Sequence, residues 1–357
     1  MKWENSISQI LGVQYPMIQA PMFGVTTPQM VAAAAKANVL GSLSLGDLPA
    51  DKCVEAIRAT KALTNQPFAV NIFVNAIPQL SAELRIQYAH TKQFVEKLAQ
   101  QYHLEANIPD IDDIKFTDYH EQVEAIIAEG CKLVSFTFGN FDAQSIQKFK
   151  DNGVILIGTC TSVKEAVLLE QSGIDLICVQ GIEAGGHRGS FIDADIPQIG
   201  GLSLLSQVYD RVKTPLIYAG GIYNAKTLWA SKILGAQAFQ IGSLLLGTKE
   251  SALQEFEKQR LRNATEADII LTKSFSGRYA RGLKNAFIDA LEHTEWVLPY
   301  PYQNKLTSEL RKLAKANSNA DFVSIWAGQS INEYSGSSTT EIIQQLIQET
   351  EKFHHDF

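Results

Sequence analysis

The run Ile174-Asp175-Leu176-Ile177-Cys178-Val179-Gln180, continued by Gly181-Ile182-Glu183-Ala184-Gly185-Gly186-His187-Arg188-Gly189, decides how this chain is read. Its first part is apolar at consecutive positions from Leu176 to Val179, the pattern of a strand covered on both faces. Its second part holds four glycines in nine residues. Without a Cβ, backbone there can approach a ligand closely. One histidine stands in that loop, a base that titrates near neutral pH at a strand's end. A turn carrying an exposed imidazole is the plainer reading. Binding residues concentrate on loops held by a rigid scaffold, which favours a site.

Working outward, seven more short apolar runs share this character: Pro16–Ala20, Val39–Leu45, Pro67–Val74, Lys132–Phe138, Val154–Gly158, Pro215–Ala219 and Ala238–Gly242. Helical patterns separate them. Thr27-Pro28 opens one, with a capping hydroxyl and a proline suited to the first turn. Thr161–Glu165 opens another, which Ser172-Gly173 closes, and Tyr223–Leu234 is a third, closed by Gly235. Strands alternating with helices eight times predict an α/β protein, a (β/α)8 TIM barrel. Two segments exceed a minimal barrel. Between the third and fourth strands, Ser81 can cap a helix whose face carries Leu84, Tyr88, Val95 and Leu98. A loop at 107–113 and a helix near 119–129 follow. After the eighth strand come helical patterns at Ser251–Ala264, Lys305–Ala316 and Ser338–Phe353. We therefore expect residues 1–74 and 131–250 to form the barrel. Residues 75–130 and 251–357 then form a smaller, mainly helical lid over its mouth. The terminal pair His354-His355 reads as a frayed end rather than a metal site.

At 357 residues the chain suits one large barrel with additions, since single cores stop growing near ~250–300 residues. A net charge of −7 offers no global positive field for nucleic acid. The three basic residues between Ser276 and Lys284 read as local structure rather than a binding stripe. No apolar run approaches the ~18 residues needed to cross a bilayer, and the N-terminus lacks a signal peptide's apolar region. Cys53, Cys131, Cys160 and Cys178 form no C-x-x-C pair and read as buried reduced thiols. The expectation is a cytoplasmic protein without a membrane or nucleic-acid partner; a monomer and a homodimer both stay open.

In such a barrel the site lies at the strands' C-terminal ends, which places His187 at the mouth. The seventh strand ends in Gly220-Gly221 and the eighth in Gln240-Ile241-Gly242-Ser243. Phosphate sites are often built there, from free N–H groups and a helix N-terminus. The Ser243 hydroxyl adds a donor. The first strand runs out through Ala20-Pro21-Met22-Phe23-Gly24 with no helix before Thr27, so this segment crosses the mouth. Asn71 and Gln180 are amides at strand ends; each contacts either a ligand or a neighbouring strand. No cluster has metal-ligand spacing, and His90, His103, His120 and His293 read as surface residues.

The loop Glu183–Gly189, the opening Gln19–Gly24 and the two phosphate turns together resemble the nitronate monooxygenase family. The tail segments Phe275–Gly282, Tyr300–Gln303 and Ser324–Gln329 resemble its class I branch. The similarity spans residues 8–332. It implies an FMN-dependent barrel oxidising alkyl nitronates with O2, without NAD(P)H, to a carbonyl compound plus nitrite or nitrate. It implies His187 as the catalytic residue and nitroalkane detoxification as the role. By the same motifs Ala20, Pro21, Met22, Asn71, Gln180, Gly185, Gly220, Gly221, Gln240, Ile241, Gly242 and Ser243 would hold FMN. Ser243 stands where the family usually has threonine. Thr137 stands where class I members often carry a histidine, which bears on substrate preference. For a substrate with a carboxylate, Tyr300, Tyr302 and Lys305 are candidate anchors. Two rivals remain: an FMN- and NADH-dependent enoyl reductase, and a flavin-free barrel isomerase or lyase acting on a phosphorylated metabolite.

Overall fold

Each of the eight apolar runs forms a strand in the computed structural model, which describes residues 3–192 and 195–353. In chain order these are β1 (Met17–Gln19), β2 (Gly41–Gly46), β3 (Phe68–Phe73), β4 (Leu133–Thr137), β5 (Ile155–Cys160), β6 (Leu176–Gln180), β8 (Leu216–Ala219) and β9 (Ala238–Ile241); the two-residue β7 (Gly186–His187) lies outside this sheet. All neighbours pair in parallel. A parallel bridge between Ile18 and Leu40 joins the two edges into a barrel. Closure removes the unpaired N–H and C=O rows that a sheet edge would expose.

Helix α1 (Ser6–Leu11) sends Ile7 and Leu11 into the barrel interior, where they pack with Ile18, Leu40, Ala69, Leu133, Ile157, Leu176, Ile217 and Ala238. Outside the strands lie α2 (Pro28–Lys36) and α3 (Ala50–Lys61), then, past α4 (Ala82–Gln101), α5 (Tyr119–Ala128), α6 (Ala143–Asp151), α7 (Val163–Gln171), α8 (Gly201–Tyr209) and α9 (Ala225–Ile233). Thr27 and Ser81 cap α2 and α4 through the N–H groups of Met30 and Leu84, and Ser162 caps α7. Every strand thus has a side-chain layer inside and another outside. That is why its sequence is apolar at consecutive positions.

The tail departs from the expectation twice. Helices α10 (Glu255–Arg262), α11 (Ala286–Leu291), α12 (Tyr302–Leu306) and α13 (Ser308–Ala316) share a second apolar cluster with α4. That cluster also contains strands, which the sequence did not suggest. β10 (Ile269–Thr272) and β11 (Ala280–Leu283) pair in antiparallel fashion, and β11 pairs onward with β7. The last helix, α14 (Thr339–Phe353), does not join this unit. Ile342, Ile343, Leu346 and Ile347 pack into the barrel's helix–strand layer, between α2 and α9. Thr340 Oγ1 donates to Ala33 O at 2.6 Å, and Trp229 Nε1 to Thr350 O at 3.1 Å. α14 is the eighth barrel helix, so the boundary drawn at residue 251 is corrected for it. The chain leaves the barrel after β9, builds the smaller unit and returns. His354 and His355 lie outside the described residues.

The four cysteines are free and buried, and burial pushes the Cys131 and Cys178 thiols up to about 11 and about 12. Among the described residues no helix is long and apolar enough to cross a membrane, and no group of side chains could hold a metal ion.

Candidate active site

A cavity of about 650 Å³ opens at the C-terminal ends of the strands and continues under the smaller unit. The glycine loop forms its rim. Gly186 and His187 are held as a strand against Arg281 and Ala280. Gly185 fits because its Cα lies against the returning tail. A Cβ there would sit 2.5 Å from Gly328 N and 2.6 Å from the Ala327 carbonyl carbon. Two further side chains brace the loop. Gln180 donates from Nε2 to His187 O at 3.0 Å and accepts Gly189 N–H at 2.9 Å. The buried Arg188 donates to the carbonyls of Gly181 and Gln180. Both amide ends of Gln180 are therefore spent on the loop.

His187 lies in the cavity wall between aromatic rings, 5.5 Å from Phe138 and 5.4 Å from Trp326 by centroid. Its Nε2 is 2.8 Å from Ser276 Oγ, and that hydroxyl is 3.1 Å from Arg278 O. We assign the serine O–H to that carbonyl, which can only accept, and with this assignment Nε2 carries the imidazole proton. Nδ1 then bears the lone pair, and the Ser276 contact is the ring's one hydrogen bond among the described residues. Desolvation, reinforced by the charges of Arg278 and Arg311, draws the imidazole down to about 3. His187 is neutral throughout the physiological range.

Across the mouth, Gly220 and Gly221 have φ of +127° and +68°, backbone that glycine adopts freely. The N–H groups of Gly221, Ile222, Gly242 and Ser243 donate to no group among the described residues. They form an anion cradle at the last two strand ends. Ser243 Oγ accepts Gly328 N–H at 2.8 Å, so its hydroxyl proton remains to be donated. Asn71 gives its Nδ2 to Ser135 Oγ at 2.9 Å and Thr137 Oγ1 at 3.3 Å, leaving Oδ1 toward the cavity.

Ala20, Pro21, Met22, Asn71, Thr137, Gln180, Gly185, His187, Gly220, Gly221, Gln240, Gly242, Ser243, Tyr300 and Lys305 all line this one cavity. Two expected residues do not reach it. Ile241 is 1 % exposed and points outward into the helix–strand layer, because alternate residues of a strand face opposite ways and Gln240 and Gly242 face in. Tyr302 donates its hydroxyl to Pro78 O at 3.0 Å and packs edge-on against Phe116, inside the smaller unit. Lys305 reaches the wall, but its Nζ is paired with Asp47 Oδ2 at 2.7 Å. His90, His103, His120 and His293 are exposed, as expected.

Sequence reasoning assigned no role to Ser276, Phe138, Trp326, Arg278 or Arg311. The first four stand in or beside segments it had singled out; Arg311 gave no signal, since an arginine in an amphipathic helix reads as a solvated charge. Phe138 has φ +75°, outside the range a bulky residue prefers, which turns its ring toward His187, Tyr300 and Phe73. The Arg278 guanidinium lies 4.4 Å over the Phe138 ring.

A profile of the nitronate monooxygenase family matches residues 4–349. A probable nitronate monooxygenase of Staphylococcus haemolyticus (strain JCSC1435) is 34% identical over 353 residues, 98% of each chain. Another, from Staphylococcus aureus (strain Newman), is 36% identical over 330 residues, 92% of each chain. Among solved structures, nitroalkane oxidase from Streptomyces ansochromogenes superposes with a TM-score of 0.88 at 32% identity, over 99% of both chains.

Proposed function

The chain belongs to the nitronate monooxygenase family, and from that premise we propose that it oxidises alkyl nitronates of the propionate 3-nitronate kind with O2, using FMN, to a carbonyl compound plus nitrite or nitrate. One observation carries this reading: a neutral imidazole with an open Nδ1 faces the same cavity as a cradle of free amides. The cradle suits a phosphate. The Ala20–Met22 segment, Asn71 Oδ1 and Gln240 offer a wall for a planar polar ring system. FMN, held there, supplies the electron transfer that no side chain here can perform.

The protein's own part is to bind, orient and move one proton. Phe138, Trp326 and Tyr300 exclude water and confine a small substrate beside His187. A neutral nitroalkane gives its α-proton to Nδ1, while the Nε2–H bond to Ser276 holds the ring's angle. A nitronate arrives without that proton and needs only binding and orientation. Cytoplasmic localisation and a detoxifying role are part of the same proposal.

Oxygen uptake by the FMN-loaded protein with propionate 3-nitronate, in the absence of NADH, is the direct test. Uptake accompanied by nitrite or nitrate is expected. No uptake, together with rapid anaerobic bleaching of the flavin by NADH, would replace this reading with the enoyl reductase. A protein that takes up no flavin would leave the phosphorylated-metabolite barrel. The cradle has its own test. The methyl of Gly221→Ala would sit 3.3 Å from Glu183 Cγ, so that side chain must yield a few tenths of an ångström, and the residue must hold a left-handed backbone. We expect a stability cost of about 1–2 kcal/mol. Calorimetry should show FMN affinity falling by about tenfold or more, as the displaced N–H groups lose phosphate bonds worth ~1.5–3 kcal/mol.

A further inference from the structure

The side of the cavity wall away from the anion cradle is aromatic. In the barrel order the cradle belongs to β8 and β9, while β4, β3 and β2 stand across the mouth from them. Phe138 follows β4, Phe73 ends β3, and Phe23 lies over Gly46 at the end of β2. Their rings form a row that starts at His187. By centroid, Phe138 is 5.5 Å from His187, Phe73 is 4.5 Å from Phe138, and Phe23 is 5.7 Å from Phe73. All four side chains line the cavity.

Exposure rises along the row. Phe138 is 4 % exposed, Phe73 is half-buried and Phe23 is 40 % exposed. The row therefore leads from the imidazole to solvent. Gly46 makes room for it: a Cβ there would lie 2.5 Å from Phe23 Cδ2 and 3.0 Å from Phe73 Cε2. Any side chain at that position would push both rings aside. Arg278 stacks on Phe138 at 4.4 Å but does not line the cavity, so it holds that ring without placing its charge on the wall. Polar groups beside the row are answered. Asp47 pairs with Lys305 at 2.7 Å, and Thr137 Oγ1 accepts from Asn71 Nδ2 at 3.3 Å. What the row offers a ligand is ring surface, and apolar surface left in water beside a reacting group favours an apolar occupant.

We propose that Phe138, Phe73 and Phe23 form a subsite for an apolar substituent of the substrate, a long alkyl chain or a phenyl ring carried on the carbon that bears the nitro group. This rests on the nitronate reading above and extends it to longer and bulkier nitro compounds. The reacting carbon sits beside His187, and its substituent lies along the rings toward solvent. An ethyl group is too short to cover Phe73 and Phe23. Each further methylene takes more of their surface out of water.

The test is a chain-length series, ethyl-, butyl- and hexylnitronate, on the FMN-loaded protein. For the wild type kcat/KM rises about threefold per methylene, and about 30–100-fold from ethyl to hexyl. In Phe23→Ser, a change at an exposed position, the hexyl-to-ethyl ratio falls about tenfold. Phe73→Ala lowers it further, and Phe23→Leu, which stays apolar, keeps most of it. A second readout needs no turnover. Acetate, butyrate and hexanoate are unreactive planar anions of nitronate shape, and calorimetry gives their affinities. Hexanoate binds the wild type about 30-fold more tightly than acetate, and Phe23→Ser loses most of that difference. A flat series in the wild type, or a slope that Phe23→Ser and Phe73→Ala leave unchanged, overturns the inference. A protein that oxidises no nitronate, yet binds the carboxylates with this chain-length slope, keeps the apolar subsite and refutes the nitronate reading instead.

Discussion

In His187→Asn protein, turnover of a neutral nitroalkane falls by about 10²–10⁴-fold, the usual worth of a positioned general base, while turnover of the matching nitronate falls far less. The asymmetry follows from where the proton is. Nδ1 has a lone pair facing the cavity and Nε2 is committed to Ser276. Only the neutral substrate needs a proton removed. Asparagine keeps a polar group of similar reach, so binding of the anion is largely preserved. Steady-state kinetics with nitroethane and ethylnitronate decide it, and equal losses on both substrates would remove the base from the mechanism. The pH dependence follows from the same geometry. The folded imidazole titrates at about 3, below its ordinary value, so it remains unprotonated as pH falls from 8 to 5. No acid limb near ~6.5 belongs to this residue. In the unfolded chain the same ring takes up a proton near ~6.5, so its contribution to stability is present above that pH and lost as pH falls toward the folded value. The urea midpoint of the wild type should therefore drop more between pH 7 and pH 5 than that of His187→Asn.

Ile343→Asp should be the most damaging substitution to the fold, costing more than about 4 kcal/mol, because it buries a charge with no partner. Ile343 is 1 % exposed and lies where α14 closes the ring of helices between α2 and α9. Gln344→Asp, one position along and exposed, should move stability by no more than about 0.5 kcal/mol. Urea unfolding followed by circular dichroism separates the two. The consequence reaches beyond one residue. If the tail after residue 250 were a separate lid, damage to its last helix would leave the barrel folded, and unfolding would show two transitions. Because α14 is part of the barrel wall, a single transition at lower denaturant is expected.

How much could be read in the chain follows from the range of the forces involved. Each barrel strand is covered on both faces, so burial wrote consecutive apolar residues into a short stretch, and all eight strands were legible. Helix starts were legible for the same local reason: Thr27, Ser81 and Ser162 bond to N–H groups three residues away. β10 and β11 left no such mark. β11 pairs with Gly186 and His187, nearly a hundred positions earlier, and is the central strand of a small three-stranded sheet that is completed only when the loop and tail meet. The residues placed on the cavity by motif arrived there with two exceptions. Ile241 faces outward by the alternation of its own strand, a rule available beforehand. Tyr302 is turned away by the packing of α12 into the smaller unit, which no local pattern reveals.

By itself the sequence determined the barrel, the glycine loop and its histidine, and the two amide-rich turns, because hydration, capping and backbone sterics act over a few residues and leave their pattern in place. Only the tertiary structure decided which nitrogen of His187 is open, that α14 returns to complete the wall, and that Arg311 lines the cavity with no ion-pair partner among the described residues. Those outcomes depend on groups remote in the chain meeting where water is scarce, and a charge looks the same in the sequence whether its partner is a carboxylate, the solvent or a ligand.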